Sequence, residues 1–273
     1  MLEMLSYPFI IRALVVGVLV SLCSALLGVN LVLKRYSMIG DGLSHVAFSA
    51  MAVATAMNWA PLSVAIPVVI AASYILLRLS ANSRLSGDSA IALLSTGALA
   101  VGIFIISMKS GVNTDINNYM FGSVLAIRQS DVTLSVVLSL AVLVLYVLFY
   151  NKIFAVTFDE PFAKATGVRA DFYNILIAVL TAVTIVLGMR MIGALLISSL
   201  IIFPAMSSMR LFKCFRNVVV CSAVISVFCF LSGLMISYEY SAPTGASVVI
   251  VNIAVFAAFC AWDWIRGRLG KKV

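Results

Sequence analysis

Phe9-Ile10-Ile11-Arg12-Ala13-Leu14-Val15-Val16-Gly17-Val18-Leu19-Val20-Ser21-Leu22-Cys23-Ser24-Ala25-Leu26-Leu27-Gly28-Val29-Asn30-Leu31-Val32-Leu33 decides the fold. A helix needs roughly 20 predominantly apolar residues to cross a bilayer, and this run reaches that length with one charge, Arg12, near its start. In hydrocarbon every backbone polar group must find an internal partner, so such a segment has to be helical. A membrane β-barrel would alternate apolar and polar residues over segments of about ten residues, which this run does not do.

The same pattern continues almost end to end. Of 273 residues, 63% are hydrophobic and 10% charged, against about a quarter charged in soluble globular chains. Apolar runs between charged or Gly/Pro breaks give nine candidate spans: Phe9–Leu33, Gly42–Asn58, Pro61–Leu79, Ser89–Met108, Val132–Tyr150, Phe172–Gly188, Met191–Met209, Val218–Ser237 and Ala246–Trp264. The sixth and seventh touch at Gly188-Met189-Arg190. The count is therefore eight or nine, according to whether a helix breaks at Met189-Arg190. The expectation is an all-α integral membrane chain, one transmembrane domain over residues 1–273, without repeats or low-complexity segments. The start lacks a basic n-region and its apolar run is too long for a cleaved signal, so the first span should act as its own targeting signal. Cys23, Cys214, Cys221, Cys229 and Cys260 show no CxxC spacing. All but Cys214 lie in apolar runs, where cysteine behaves as a small hydrophobe.

Basic residues set the orientation. If the loops after the first, third, fifth, seventh and ninth spans face the cytoplasm, they hold Lys34, Arg35, Arg78, Arg84, Lys152, Lys164, Arg169, Arg210, Lys213, Arg216, Arg266, Arg268, Lys271 and Lys272. The opposite side receives only Arg12, Lys109, Arg128 and Arg190. The net charge of +8 is then a topology signal rather than a nucleic-acid footprint, and it places the C-terminus in the cytoplasm. The outer connection Lys109–Asp131 is expected to hold a short interfacial helix at Tyr119-Met120-Phe121-Gly122-Ser123. The inner connection Asn151–Asp171 is expected to hold an amphipathic helix around Asp159–Gly167. Acids and a proline suit its first turn, and Gly167 suits its end.

Ionisable groups within a membrane are costly and therefore informative. Most of the ten acids fall in loops; the exception is Asp41, which opens the second span. Asp41 and His45, the one histidine of the chain, stand at i and i+4 and so share a helical face. A carboxylate oxygen and an imidazole nitrogen make half of a zinc or manganese site. The same spacing also suits an N-cap with a polar interhelical contact. Two ligands hold a metal weakly, which suits a route the ion must leave again. No GxxxxGK[ST] phosphate loop is present, Gly270-Lys271-Lys272 being the nearest candidate, so the chain is not expected to hydrolyse ATP itself, and another subunit is the expected source of energy. Asp159–Gly167 is a suitable docking knob for it, or else a solvated surface helix.

At this point the motifs resemble a known family, the permease subunits of zinc/manganese ABC importers (the ABC-3 group). The resemblance runs through Leu33–His45, Tyr119–Ser123, Phe158–Val168, Gly193-Ala194-Leu195-Leu196, Phe203-Pro204-Ala205 and Ala242-Pro243-Thr244-Gly245. It implies a fold like the membrane subunit of the vitamin B12 importer, a type II ABC importer. It also implies a homodimer in the bacterial inner membrane, cytoplasmic ABC ATPase subunits, an external metal-binding protein and surrounding lipid as partners. No enzymatic activity and no permanently bound cofactor are implied; Zn2+ or Mn2+ would be cargo, with zinc favoured by the Ser110–Ser123 and Ile236–Tyr240 stretches. Asp41 and His45 would contact the ion near the dimer axis. Asp159, Glu160, Pro161, Phe162, Ala163, Lys164 and Gly167 would form the ATPase-coupling helix. Three departures stand out. Gly42 replaces a usual Ala or Thr and should loosen the helix start. Phe48-Ser49-Ala50 replaces a proline-containing step, and Pro161 replaces a common second acid. The competing expectations are a gradient-driven secondary carrier, an ABC permease for a metal chelate, and a non-transporting scaffold.

Overall fold

The computed structural model describes residues 8–82, 87–108 and 129–269. The expected Tyr119–Ser123 helix, and the Ser110–Ser123 stretch used to favour zinc, lie outside them. Eleven helices are described: α1 (Pro8–Leu33), α2 (Ile39–Ala56), α3 (Pro61–Asn82), α4 (Gly87–Met108), α5 (Gln129–Leu148), α6 (Tyr150–Phe158), α7 (Glu160–Ala165), α8 (Ala170–Ile192), α9 (Ala194–Leu211), α10 (Phe215–Tyr240) and α11 (Thr244–Leu269). Among the described residues no strand occurs.

Eight of these helices are long and apolar enough to cross a membrane: α1, α3, α4, α5, α8, α9, α10 and α11. The ambiguity over the count falls in a different place from the one expected. α8 runs unbroken through Gly188, Met189 and Arg190 to Ile192. The break comes at Gly193, whose φ of 96° and ψ of 157° are open only to glycine, and α9 starts afresh at Ala194. The ninth helix is α2. At 18 residues it is about 27 Å long at 1.5 Å per residue, close to the hydrocarbon thickness. It is more polar than the others because it carries Asp41, Ser44, His45, Ser49 and Thr55. Ser44 and Ser49 are buried among neighbouring helices, whereas the Asp41 and His45 side chains stay partly exposed.

α1 runs through the middle of the bundle, packed on α5, α8, α9 and α10. α2 packs chiefly on α3 and α4, with α8 and α9 closing its other sides. Helices in lipid gain little from apolar burial against one another, so close backbone approach and packing hold them together. A Cβ on Gly28 of α1 would stand 2.1 Å from the carbonyl oxygen of Ile201 in α9. A Cβ on Gly233 of α10 would stand 2.5 Å from Cα of Val248 in α11. The outward faces stay apolar, with Leu93 and Phe104 of α4, Val144 and Val147 of α5, and Val224 and Phe228 of α10 exposed.

Contacts at the ends fix the sense of each helix. Lys34, Ile39, Arg78, Lys164 and Asn174 line one cavity, so the end of α1, the start of α2, the end of α3 and the start of α8 share one side. Phe215, opening α10, packs on Tyr150, Phe154 and Phe158 there. Arg210 pairs with Asp263 at 3.6 Å, bringing the ends of α9 and α11 to the same side. Arg190 pairs with Asp131 at 3.6 Å at the opposite end. Alternation of the nine long helices therefore gathers the basic loops at one end of the molecule.

Candidate functional site

The first candidate group sits on the opening turns of α2. Two glycines bring the helix against its neighbours on either side of Asp41. A Cβ on Gly40 would meet Ile201 of α9 at 3.1 Å, and one on Gly42 would meet Ile91 of α4 at 2.6 Å. Gly42 therefore does not loosen the helix start; it allows close packing, and α2 begins three residues earlier, at Ile39. At 100° per residue, Asp41 projects between the α4 and α9 contacts, and His45 follows one turn on. α2 also continues unbroken through Phe48-Ser49-Ala50, where Ser49 Oγ donates to the carbonyl oxygen of Ala98 in α4.

Asp41 Oδ2 and His45 Nε2 stand 3.7 Å apart. Two ligands of one tetrahedral zinc, each at about 2.1 Å, stand about 3.4 Å apart, so a shift of a few tenths of an ångström would let both bind one ion. The side chains are 46% and 25% exposed, while most of α2 around them is buried. The carbonyl of Asp41 accepts from Ser44 Oγ at 2.7 Å, and Met38 provides no side-chain cap. Among the described residues no cluster of three or more His, Cys, Asp or Glu could hold a metal ion. One chain thus sets a carboxylate and an imidazole side by side on the opening turns of α2.

The second group lies on the basic side. The inner connection is more helical than expected: α6 occupies Tyr150–Phe158 before the short helix α7. Asp159 caps α7, its Oδ1 accepting from the backbone N–H of Phe162 at 2.9 Å, and Pro161 lies in the first turn. Gly167 takes φ 82° just beyond the end. Ala163 is fully buried against Val156 and Ala170, which seats α7 on α6 and α8. Phe162 is 64% exposed, and Phe158, though it packs on Phe154 and Phe215, is still 56% exposed.

Glu160 binds Lys164 at 3.0 Å, and Lys164 reaches Asp171 at 3.3 Å. Partial burial pushes the Glu160 carboxyl up. Hydrogen bonds from Asn174 and Lys164 and the charges of Lys34 and Lys164 outweigh it, leaving the carboxyl below the ordinary glutamate range. Lys164 is held above the ordinary lysine range by its hydrogen bonds to Glu160 and Asp171.

The structure thus brings Asp41 to His45, and Asp159, Glu160, Pro161, Phe162, Ala163, Lys164 and Gly167 to one another. It places the two groups apart, on α2 and α7. Sequence reasoning missed Asn30, Lys34, Tyr146, Thr157 and Asn174. Asn30 Nδ2 donates to Tyr146 Oη at 2.8 Å, and Thr157 Oγ1 donates to Asn30 Oδ1 at 3.1 Å. The available signal was Asn30 itself, an amide near the end of an apolar run. A cavity of about 700 Å³ between α1, α3, α6, α7 and α8 is lined by Lys34, Arg78, Glu160 and Asn174.

The sequence model of the ABC 3 transport family matches residues 6–262. The chain is 28% identical to the manganese transport system membrane protein MntC of Halalkalibacterium halodurans, over 93% of this chain and 87% of that one. It is also 28% identical to the high-affinity zinc uptake system membrane protein ZnuB of Haemophilus influenzae, over 92% of this chain and 96% of that one. Among solved structures it resembles PsaBC from Streptococcus pneumoniae in complex with Fab. There the TM-score is 0.82 at 26% identity, over 93% of this chain and 91% of the other.

Proposed function

The chain belongs to the ABC 3 transport family, and from that premise we propose that it is the permease subunit of an ATP-driven importer of a divalent transition metal. Two copies form the path, each contributing Asp41 and His45. The single observation that carries this reading is the 3.7 Å Asp41–His45 pair, half-exposed on an otherwise buried inner helix. Buried apolar packing would explain neither residue. Two-fold symmetry would bring a second pair to the first and so complete a four-ligand set. The basic side faces the cytoplasm, with the C-terminus, and α7 seats in a groove of the ATPase through Phe162. An external metal-binding protein delivers the ion to the opposite side.

Zinc is the first expected cargo and manganese the second, since imidazole and carboxylate serve both. The reading is tested by uptake of each metal into proteoliposomes holding the permease with its ATPase. Asp41→Asn and His45→Ala should each lower uptake toward background while the complex still assembles. Wild-type import of both metals by both variants would remove the pair from the path. Uptake by the permease alone, driven by an ion gradient, would favour a secondary carrier instead.

A further inference from the structure

Charged and amide side chains outside the Asp41–His45 pair meet where the α1–α2 corner touches α7. Lys34 Nζ donates to Asn174 Oδ1 and stands 3.9 Å from Glu160 Oε2. Asn174 Nδ2 donates to that same Glu160 oxygen at 3.0 Å, and Lys164 holds the other at 3.0 Å. The Lys34 side chain is only 14% exposed, so this contact is better shielded than an ordinary surface ion pair. One turn earlier on α1, Asn30 is joined to Tyr146 of α5 and Thr157 of α6. The α6–α7 segment is therefore tied to α1 at two successive turns.

The corner itself is stiff. Tyr36 N–H donates to Leu31 O at 2.8 Å and Arg35 N–H to Val32 O at 3.1 Å, with Arg35 at φ 62°. This is the paired closure of a Schellman motif. Ile39 N–H then donates to Tyr36 O at 3.1 Å, and Gly42 N–H to Met38 O at 3.0 Å. Hydrogen-bonded turns thus follow one another from Lys34 to Asp41.

We propose that Lys34 and Asn174 are positioning residues that lock α7 to the α1–α2 corner, so that displacement of α7 moves Asp41 and His45. The inference rests on the reading of α7 as the helix that docks the ATPase. Coupling of this kind requires packed elements that move as units, which two tethers and a closed corner supply.

Two measurements test it on Lys34→Met, Asn174→Ala and the conservative Lys34→Arg. In the complex with its ATPase, Lys34→Met and Asn174→Ala should keep hydrolysis within about twofold yet import about tenfold fewer ions per ATP, with Lys34→Arg restoring the ratio. In the purified permease, amide exchange over residues 160–168 should quicken about tenfold in Lys34→Met and stay slow in Lys34→Arg. Unchanged exchange overturns the lock, and quickened exchange with an unchanged ion-to-ATP ratio overturns the transmission. If Lys34→Met does not fold, Asn174→Ala carries both measurements. Failure of the wild-type chain to bind an ATPase, with the lock visible by exchange, would instead refute the reading of α7 and with it the transmission.

Discussion

At the residue scale, glycines and buried amides carry most of what distinguishes this bundle from a stack of apolar cylinders. Gly28 lets α1 approach the backbone of α9, and the side chain of alanine has no room there. Gly28→Ala should destabilise the chain by about 1–3 kcal/mol, the usual cost of overpacking, read as a lower unfolding temperature in detergent. Gly193→Ala should cost about as much for a different reason, since φ 96° with ψ 157° is closed to side chains, and a stabilised or neutral variant would refute that account. Arg35 occupies the left-handed position where glycine is usual. Arg35→Gly should relieve about 1 kcal/mol of backbone strain, provided the side chain contributes nothing to the corner. Such positions were invisible beforehand, because a glycine in an apolar run reads the same whether or not a backbone stands opposite it.

At the element scale, α7 shows how far local signals reach. Its acids, its proline and its terminal Gly167 were all legible, since each acts within a few residues of itself, although Asp159 proves to be the cap rather than part of the first turn. α6 was not, because nothing local marks the residues after the fifth span as a helix of their own, and the aromatic contacts with Phe215 that hold them lie far along the chain. Glu160 gives α7 a pH dependence with a definite sign. Its carboxyl lies below the ordinary value of 4.5 in the folded chain, so it contributes stability above that pH and loses it as pH falls through the lowered value. Lys164, raised above 10.5, contributes below that pH and loses its contribution as pH rises through the folded value. Protection of the α7 amides, taken relative to the free-chain exchange rate at each pH, should therefore be greatest between these limits and fall on the acid side. In Glu160→Gln the acid-side change should flatten, and an unaltered acid limb would assign it to another group. α2 was legible as an apolar stretch carrying an Asp and a His. That it is an inner helix, walled by α3, α4, α8 and α9, was not.

At the scale of the whole molecule, the basic loops meet at one end because the nine long helices alternate, and the cytoplasmic assignment of that end is open to a direct test. Cys214 is exposed on the basic side, and the other four cysteines are buried or half-buried within long helices. A membrane-impermeant thiol reagent should label Cys214 in inverted vesicles and not in right-side-out ones, with the label lost in Cys214→Ser. Labelling from the opposite side would reverse the orientation.

The sequence by itself determined that this chain is helical and crosses the membrane repeatedly. It also determined which ends share a side, and that Asp41 and His45 share a helical face. These follow from solvation of the backbone and from the 3.6-residue period, both local. Only the tertiary structure decided where the helix pair α8–α9 breaks, that Gly42 packs rather than loosens, and that Lys34, Glu160 and Asn174 meet across α1, α7 and α8. Those depend on which surfaces lie against one another. Close approach and satisfaction of buried polar groups choose such pairings, and neither is written in the order of residues along one helix.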